Sequence, residues 1–195
     1  ANALRAKAGL ADLPLAHYRP YVGTGARGML RIALGLEPEV PEFGAQKEAF
    51  FQAYESLLMQ HSMLFEGVPA LLGALEQASI PWGIVTNKSE RFTHPIMALE
   101  ATLARAEVVV CGDTTPYAKP HPAPLLHAGE RLGAPPSSVI YIGDDERDMQ
   151  AARAAGMRGV AADYGYLGGA EGTEGWRPDA AIKKPLDLLS LLGLV

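Results

Sequence analysis

Residues 140–149 read IYIGDDERDM, an apolar run that stops at a glycine and two aspartates and passes at once into a charged stretch. Strand-type residues end at Gly143, and ERDMQAARAAG continues as a helix closed by Gly156. Short buried strands that turn directly into helices build parallel sheets, and in an open parallel sheet ligands gather at the carboxyl ends of the strands. Asp144 therefore stands where a functional group belongs. We read it as the cap of the following helix, with Asp148 four residues on along the same helical face. Carboxylate oxygens at such a place suit Mg²⁺, a hard cation that takes one or two carboxylates with water and phosphate oxygens. Capping and the helix dipole would by themselves account for both residues, so the neighbouring segments must decide.

Outward from this stretch the pattern repeats. Toward the C-terminus, RGVAAD reads as another strand, 180–182 as a weak one, and a helix is expected from Leu186; the glycine-rich GYLGGAEGTEGW between them reads as a surface loop. Toward the N-terminus, SVIYIG is preceded by the helix PAPLLHAGERLG, the strand EVVVC, a helix around RFTHPIMALE that Pro95 should kink or delay, the strand PWGIVT and the helix VPALLGALEQA. Strand and helix in alternation predict an α/β fold, a parallel sheet with helices on both faces.

Two more strand ends carry chemistry. GIVTNK closes on Thr86 and Asn87, which offer a hydroxyl, an amide and helix-starting N–H groups to an anion. YAKPHP holds Lys119 before Pro120, which biases it toward an extended conformation. Hydroxyl and amide, then ammonium, then paired carboxylates follow three consecutive strands in order.

The first third differs in texture. From Ala1 to about Leu64 the chain reads as helical, with Phe43, Phe50, Tyr54, Leu57, Leu58 and Leu64 at roughly helical intervals. We divide the chain into a helical cap, 1–65, and an α/β core, 66–195. Within the cap, Gly23, Gly25 and Gly28 match the spacing of a dinucleotide fingerprint. That motif needs a buried strand before it and another after the helix, and HYRPYV and PEVPEF supply neither. Another use of the same glycines is to bring backbone N–H groups to a substrate from a helical lid, beside Arg27. The net charge of −5 gives no sign of a nucleic-acid or membrane-surface partner. One cysteine, Cys111, and no apolar run of membrane-spanning length make a cytoplasmic setting the default. Oligomeric state is not legible.

At VTNK, AKP and GDDERD the sequence resembles the haloacid dehalogenase superfamily of phosphohydrolases, over 67–166, and the helical first third resembles that family's four-helix cap. Within the superfamily it is similar to phosphoglycolate phosphatases. GARGMLRIALGLEPEVPEF and WGIVTNKSERFTHPIM are especially similar to the branch with N-acetylmuramic acid 6-phosphate phosphatases. The resemblance implies a HAD-like Rossmannoid core and two-step phosphoryl transfer from a small phosphorylated metabolite through an aspartyl-phosphate. It assigns Thr86 and the Asn87 backbone to the phosphoryl oxygens, Lys119 to charge neutralisation, Asp144 to Mg²⁺ and Asp148 to orienting Lys119 or a metal-bound water. Arg19, Gly23, Thr24, Gly25 and Arg27 are the cap's candidates for substrate contact. The family's opening Asp-x-Asp-Gly-Thr strand has no counterpart, since no Asp-x-Asp occurs in the 195 residues. The chain opens at Ala1 in what reads as mid-helix, so that strand, the nucleophile and the general acid/base are expected upstream; alone, the chain is expected to be inactive and poorly stable. A β-phosphoglucomutase-like mutase, a dehalogenase and a non-catalytic module binding phosphorylated ligands are the alternatives.

Overall fold

The computed structural model describes the backbone of residues 1–195 and every side chain except those of Met59 and His61. The chain divides into two compact units, 1–61 with 168–170, and 62–167 with 171–195.

The first unit is helical: α1 (Asn2–Lys7), α2 (Leu15–Tyr18), a 3₁₀ turn Arg19–Thr24, α3 (Gly25–Leu34) and α4 (Phe43–His61). Helix α3 buries Ala26, Leu30 and Ala33, which recur at helical spacing and so share one face. It stops at Gly35, left-handed at φ 69°, whose N–H donates to the Arg31 carbonyl. Arg5 on α1 donates to the Ala33 carbonyl at 2.6 Å, satisfying an acceptor that the helix end leaves open.

The second unit alternates: α5 (Val68–Gln77), β1 (Gly83–Val85), α6 (Glu90–Leu99), β2 (Val108–Val110), α7 (Ala123–Arg131), β3 (Ile140–Gly143), α8 (Glu146–Ala155), β4 (Arg158–Ala162), β5 (Ala180–Ile182) and α9 (Asp187–Leu191). Pro95 lies inside α6 without ending it. All pairings are parallel, but the strands form two sheets, β1-β2 and β3-β4-β5. Alternation along β3 sorts its side chains between two helical layers. Ile140 and Ile142 join a core of Leu71, Leu72 and Leu75 from α5 with Leu188 and Leu189 from α9. Tyr141 faces the other way, into the cluster of Leu125, Ala151, Ala152 and Ala155 from α7 and α8. Each fully buried leucine of this kind contributes about 1.5–3 kcal/mol.

Side chains, not a strand, meet the free edge of β1. Thr86 donates its N–H to Val110 on β2, so the Val85 carbonyl, one residue back, points away from β2. It accepts from Lys119 Nζ and from the Tyr141 hydroxyl, both at 3.1 Å.

The stretch 165–176 is less of a surface loop than its glycines suggest. It contains two 3₁₀ turns, and Trp176 is buried against Met149 and Ala161. Buried Thr173 donates to Asp163.

Candidate phosphate-binding site

The candidates Thr86, Asn87, Lys119, Asp144 and Asp148 lie on loops and one helix start at the carboxyl ends of β1, β2 and β3. A chain of hydrogen bonds ties the first loop to the third. The Asn87 amide grips the Lys119 backbone twice, accepting from its N–H at 2.9 Å and donating to its carbonyl at 2.9 Å. This corrects the expectation that the Asn87 amide would face an anion: its side chain holds the lysine loop. The Asn87 backbone N–H and the Thr86 hydroxyl proton have no acceptor among the described residues, while Thr86 Oγ1 accepts from the Lys88 N–H at 3.1 Å.

Lys119 reaches inward from this clamp. Its ammonium lies 2.7 Å from Asp148 Oδ1, with side-chain exposures of 9% and 7%. It also donates to the Tyr141 hydroxyl at 2.7 Å and to the Val85 carbonyl at 3.1 Å, which occupies all three of its donors. Asp148 spends its other oxygen on the Asp145 N–H at 3.1 Å. Only glycine fits at 143, where a Cβ would lie 2.4 Å from that of Asp148.

The cap of α8 is Asp145, not Asp144 as expected. Asp145 accepts from the Arg147 N–H, and Asp148, three residues into the helix, returns the bond to the Asp145 N–H. Asp145 also takes both Nε and Nη2 of Arg147, each at 2.7 Å. Burial presses its carboxyl pKa upward, but the Arg147 hydrogen bonds and charge together outweigh this and leave it below 3.8. The cap therefore contributes its stability above about pH 4 and loses it as pH falls through the folded value. Asp145→Ala is expected to cost about 0.5–2 kcal/mol at pH 7. Melting curves should show the gap from the unsubstituted protein narrowing below pH 4.

Relieved of capping, Asp144 is half-buried beside the next loop. Its Oδ2 accepts from the Tyr166 N–H at 2.8 Å, and a Cβ at residue 165 would sit 2.2 Å from its own Cβ, so glycine there admits it. Its Oδ1 has no partner among the described residues. No three His, Cys, Asp or Glu among the described residues group closely enough to hold a metal by themselves. One open carboxylate oxygen still fits Mg²⁺, which commonly binds through one or two carboxylates with the remaining positions on water and phosphate.

Tyr141, which sequence reading did not single out, joins this network through its hydroxyl. Burial first, and the nearby Asp148 charge second, push its pKa well above 10, so it stays neutral. A tyrosine between two isoleucines in an apolar strand was the available signal, since a tyrosine hydroxyl packed inward must find a partner.

The cap candidates lie in the first unit. Arg19, Gly23 and Thr24 belong to the 3₁₀ turn, and Gly25 and Arg27 open α3; all five are exposed. Gly25 and Gly28 serve the local backbone. Gly25 has φ 62°, and a Cβ at residue 28 would strike Thr24 Oγ1 at 1.7 Å. The Thr24 hydroxyl donates to the Tyr21 carbonyl at 2.6 Å.

Comparison with known proteins adds kinship to this geometry. The family profile described as haloacid dehalogenase-like hydrolase matches residues 1–162. A phosphoglycolate phosphatase of Xanthomonas campestris pv. campestris is 42% identical over 193 residues, covering 96% of this chain and 84% of that protein. An N-acetylmuramic acid 6-phosphate phosphatase of Pseudomonas aeruginosa is 38% identical over 191 residues, covering 98% and 84%. The crystal structure of a predicted phosphoglycolate phosphatase from Haemophilus somnus superposes with a TM-score of 0.86 at 25% identity, covering 98% of this chain and 88% of that one.

Proposed function

The chain belongs to the haloacid dehalogenase-like hydrolases, and from that premise we propose that it is the cap and most of the core of a Mg²⁺-dependent phosphomonoesterase acting on a small phosphorylated metabolite in the cytoplasm. The observation that carries this reading is the buried ammonium of Lys119, tied through its backbone to the Thr86-Asn87 loop and through its side chain to Asp148. An ammonium so placed can neutralise charge on a transferring phosphoryl group, and phosphoryl transfer is catalysed mostly by such positioning and electrostatics.

In this reading the Thr86 hydroxyl and the Asn87 N–H donate to phosphoryl oxygens, and Asp148 keeps the Lys119 ammonium aimed. Asp144 would contribute its Oδ1 to Mg²⁺, which when bound supplies positive charge to the phosphate oxygens. The attacking carboxylate belongs to a further strand lying between β1 and β3, whose division into separate sheets supports such a place. That strand would take the Val85 carbonyl as its ladder partner and release one donor of Lys119 toward the phosphate. The aspartate on it attacks phosphorus, the ester P–O bond breaks, and a second aspartate gives its proton to the leaving oxygen; water then cleaves the acyl phosphate.

The curated relatives named above support two substrates, phosphoglycolate and N-acetylmuramic acid 6-phosphate. The test is an assay of protein extended to include the upstream coding sequence. With Mg²⁺ it should hydrolyse p-nitrophenyl phosphate, lose activity in EDTA and regain it with added Mg²⁺; a panel containing both esters then assigns the substrate. Protein of the 195 residues alone, which lack Asp-x-Asp, should leave every ester intact. An extended protein that hydrolyses none of them would overturn the reading.

A further inference from the structure

The Lys119 ammonium has three N–H bonds to place, and its two shortest contacts are Asp148 Oδ1 and the Tyr141 hydroxyl, both at 2.7 Å. The third, to Val85 at 3.1 Å, is longer and shared, because the Tyr141 hydroxyl also reaches that carbonyl at 3.1 Å. An ammonium is tetrahedral. One fixed partner leaves it free to rotate about that bond; two fixed partners set the direction of the remaining N–H.

We propose that Tyr141 is a positioning residue for Lys119: its hydroxyl is the second fixed partner which, with Asp148, directs the third N–H of the ammonium at the transferring phosphate. The proposal rests on the phosphatase reading. Tyr141 suits the task because its own position is rigid. Its ring is packed among Leu125, Ala151 and Ala152, and its backbone is laddered to Gly159 on β4. Because the hydroxyl is neutral, it accepts from the ammonium without cancelling its charge, which a second carboxylate would do. Its own proton has Val85 or Asp148 as acceptor, at 3.1 and 3.4 Å. When the further strand takes the Val85 carbonyl and Lys119 turns to a phosphate oxygen, the Tyr141 proton keeps Asp148 as its acceptor.

The test is Tyr141→Phe in the extended protein, which keeps the packed ring and removes only the oxygen. For p-nitrophenyl phosphate we expect kcat to fall roughly tenfold, equivalent to about 1.4 kcal/mol of barrier, with KM within about twofold. Inhibition by orthovanadate, a mimic of five-coordinate phosphorus, should weaken by a factor similar to the loss in kcat, while inhibition by inorganic phosphate stays within about twofold. A purely structural role would lower the melting temperature and leave kcat and vanadate affinity in place; that result overturns the proposal. A rise in KM at unchanged kcat also overturns it, as does loss of the cooperative melting transition, which would assign the hydroxyl to the core. An unsubstituted protein without phosphatase activity would instead refute the functional reading itself.

Discussion

Lys119→Ala in the extended protein is expected to lower kcat for p-nitrophenyl phosphate by about 10³-fold, the scale on which removing a preorganised positive group acts in phosphoryl transfer. The substitution has a second effect, because the lysine's partner is buried too. Asp148 is left with an uncompensated charge at 7% side-chain exposure, and breaking such a pair from one side costs about 3–5 kcal/mol. Against a total stability of about 5–15 kcal/mol, loss of activity alone would not separate chemistry from folding. The double substitution Lys119→Met with Asp148→Asn separates them. It removes both charges, keeps an oxygen to accept from the Asp145 N–H, and should recover most of the melting temperature with none of the turnover. Recovery of both would assign the ion pair to architecture; a kcat within tenfold of the unsubstituted protein in Lys119→Ala would remove the lysine from the site.

Gly112→Ala is the second large effect, and residue 112 itself carries no group assigned to the chemistry. A Cβ at residue 112 would lie 2.3 Å from the Asn87 carbonyl oxygen and 2.8 Å from its carbonyl carbon. These are backbone atoms that no rotamer change can withdraw. The loop after β1 must then shift, taking with it the Asn87 amide and the two hydrogen bonds by which that amide holds Lys119. A displacement near 1 Å can cost about 10²-fold in rate, so kcat/KM should fall by about that factor, with about 1–3 kcal/mol lost in stability from overpacking. Steady-state kinetics with a chemical denaturation curve check both; activity within threefold of the parent would mean that the two loops adjust independently.

The sequence made the α/β class legible because its short apolar strand runs and glycine-closed helices are local signals, each contained within about ten residues. The same locality explains the errors. In Gly-Asp-Asp, either aspartate can head a helix, and one residue decides which is the cap and which keeps an oxygen open. The spacing from Asp145 to Asp148 is that of a reciprocal cap and was the available cue. The grip of Asn87 on Lys119 joins residues 32 apart, and nothing in VTNK or YAKPHP announces it. Thr173 and Trp176 lay in a glycine-rich stretch that read as solvent-facing, since burial there depends on Met149 and Ala161 from other elements. The paired strands were legible one by one; their division into two sheets depends on which edges find partners, a property of the assembled unit.

The burial of Trp176 also has a practical use. The chain's two tryptophans, Trp82 and Trp176, both lie in the second unit, and Trp176 is only 8% exposed. Excitation at the red edge of protein absorbance therefore makes intrinsic fluorescence a reporter of that unit alone, blind to the four helices of the other. Emission followed alongside far-ultraviolet dichroism during one denaturant titration would separate the loss of the two halves, without a label or an engineered probe.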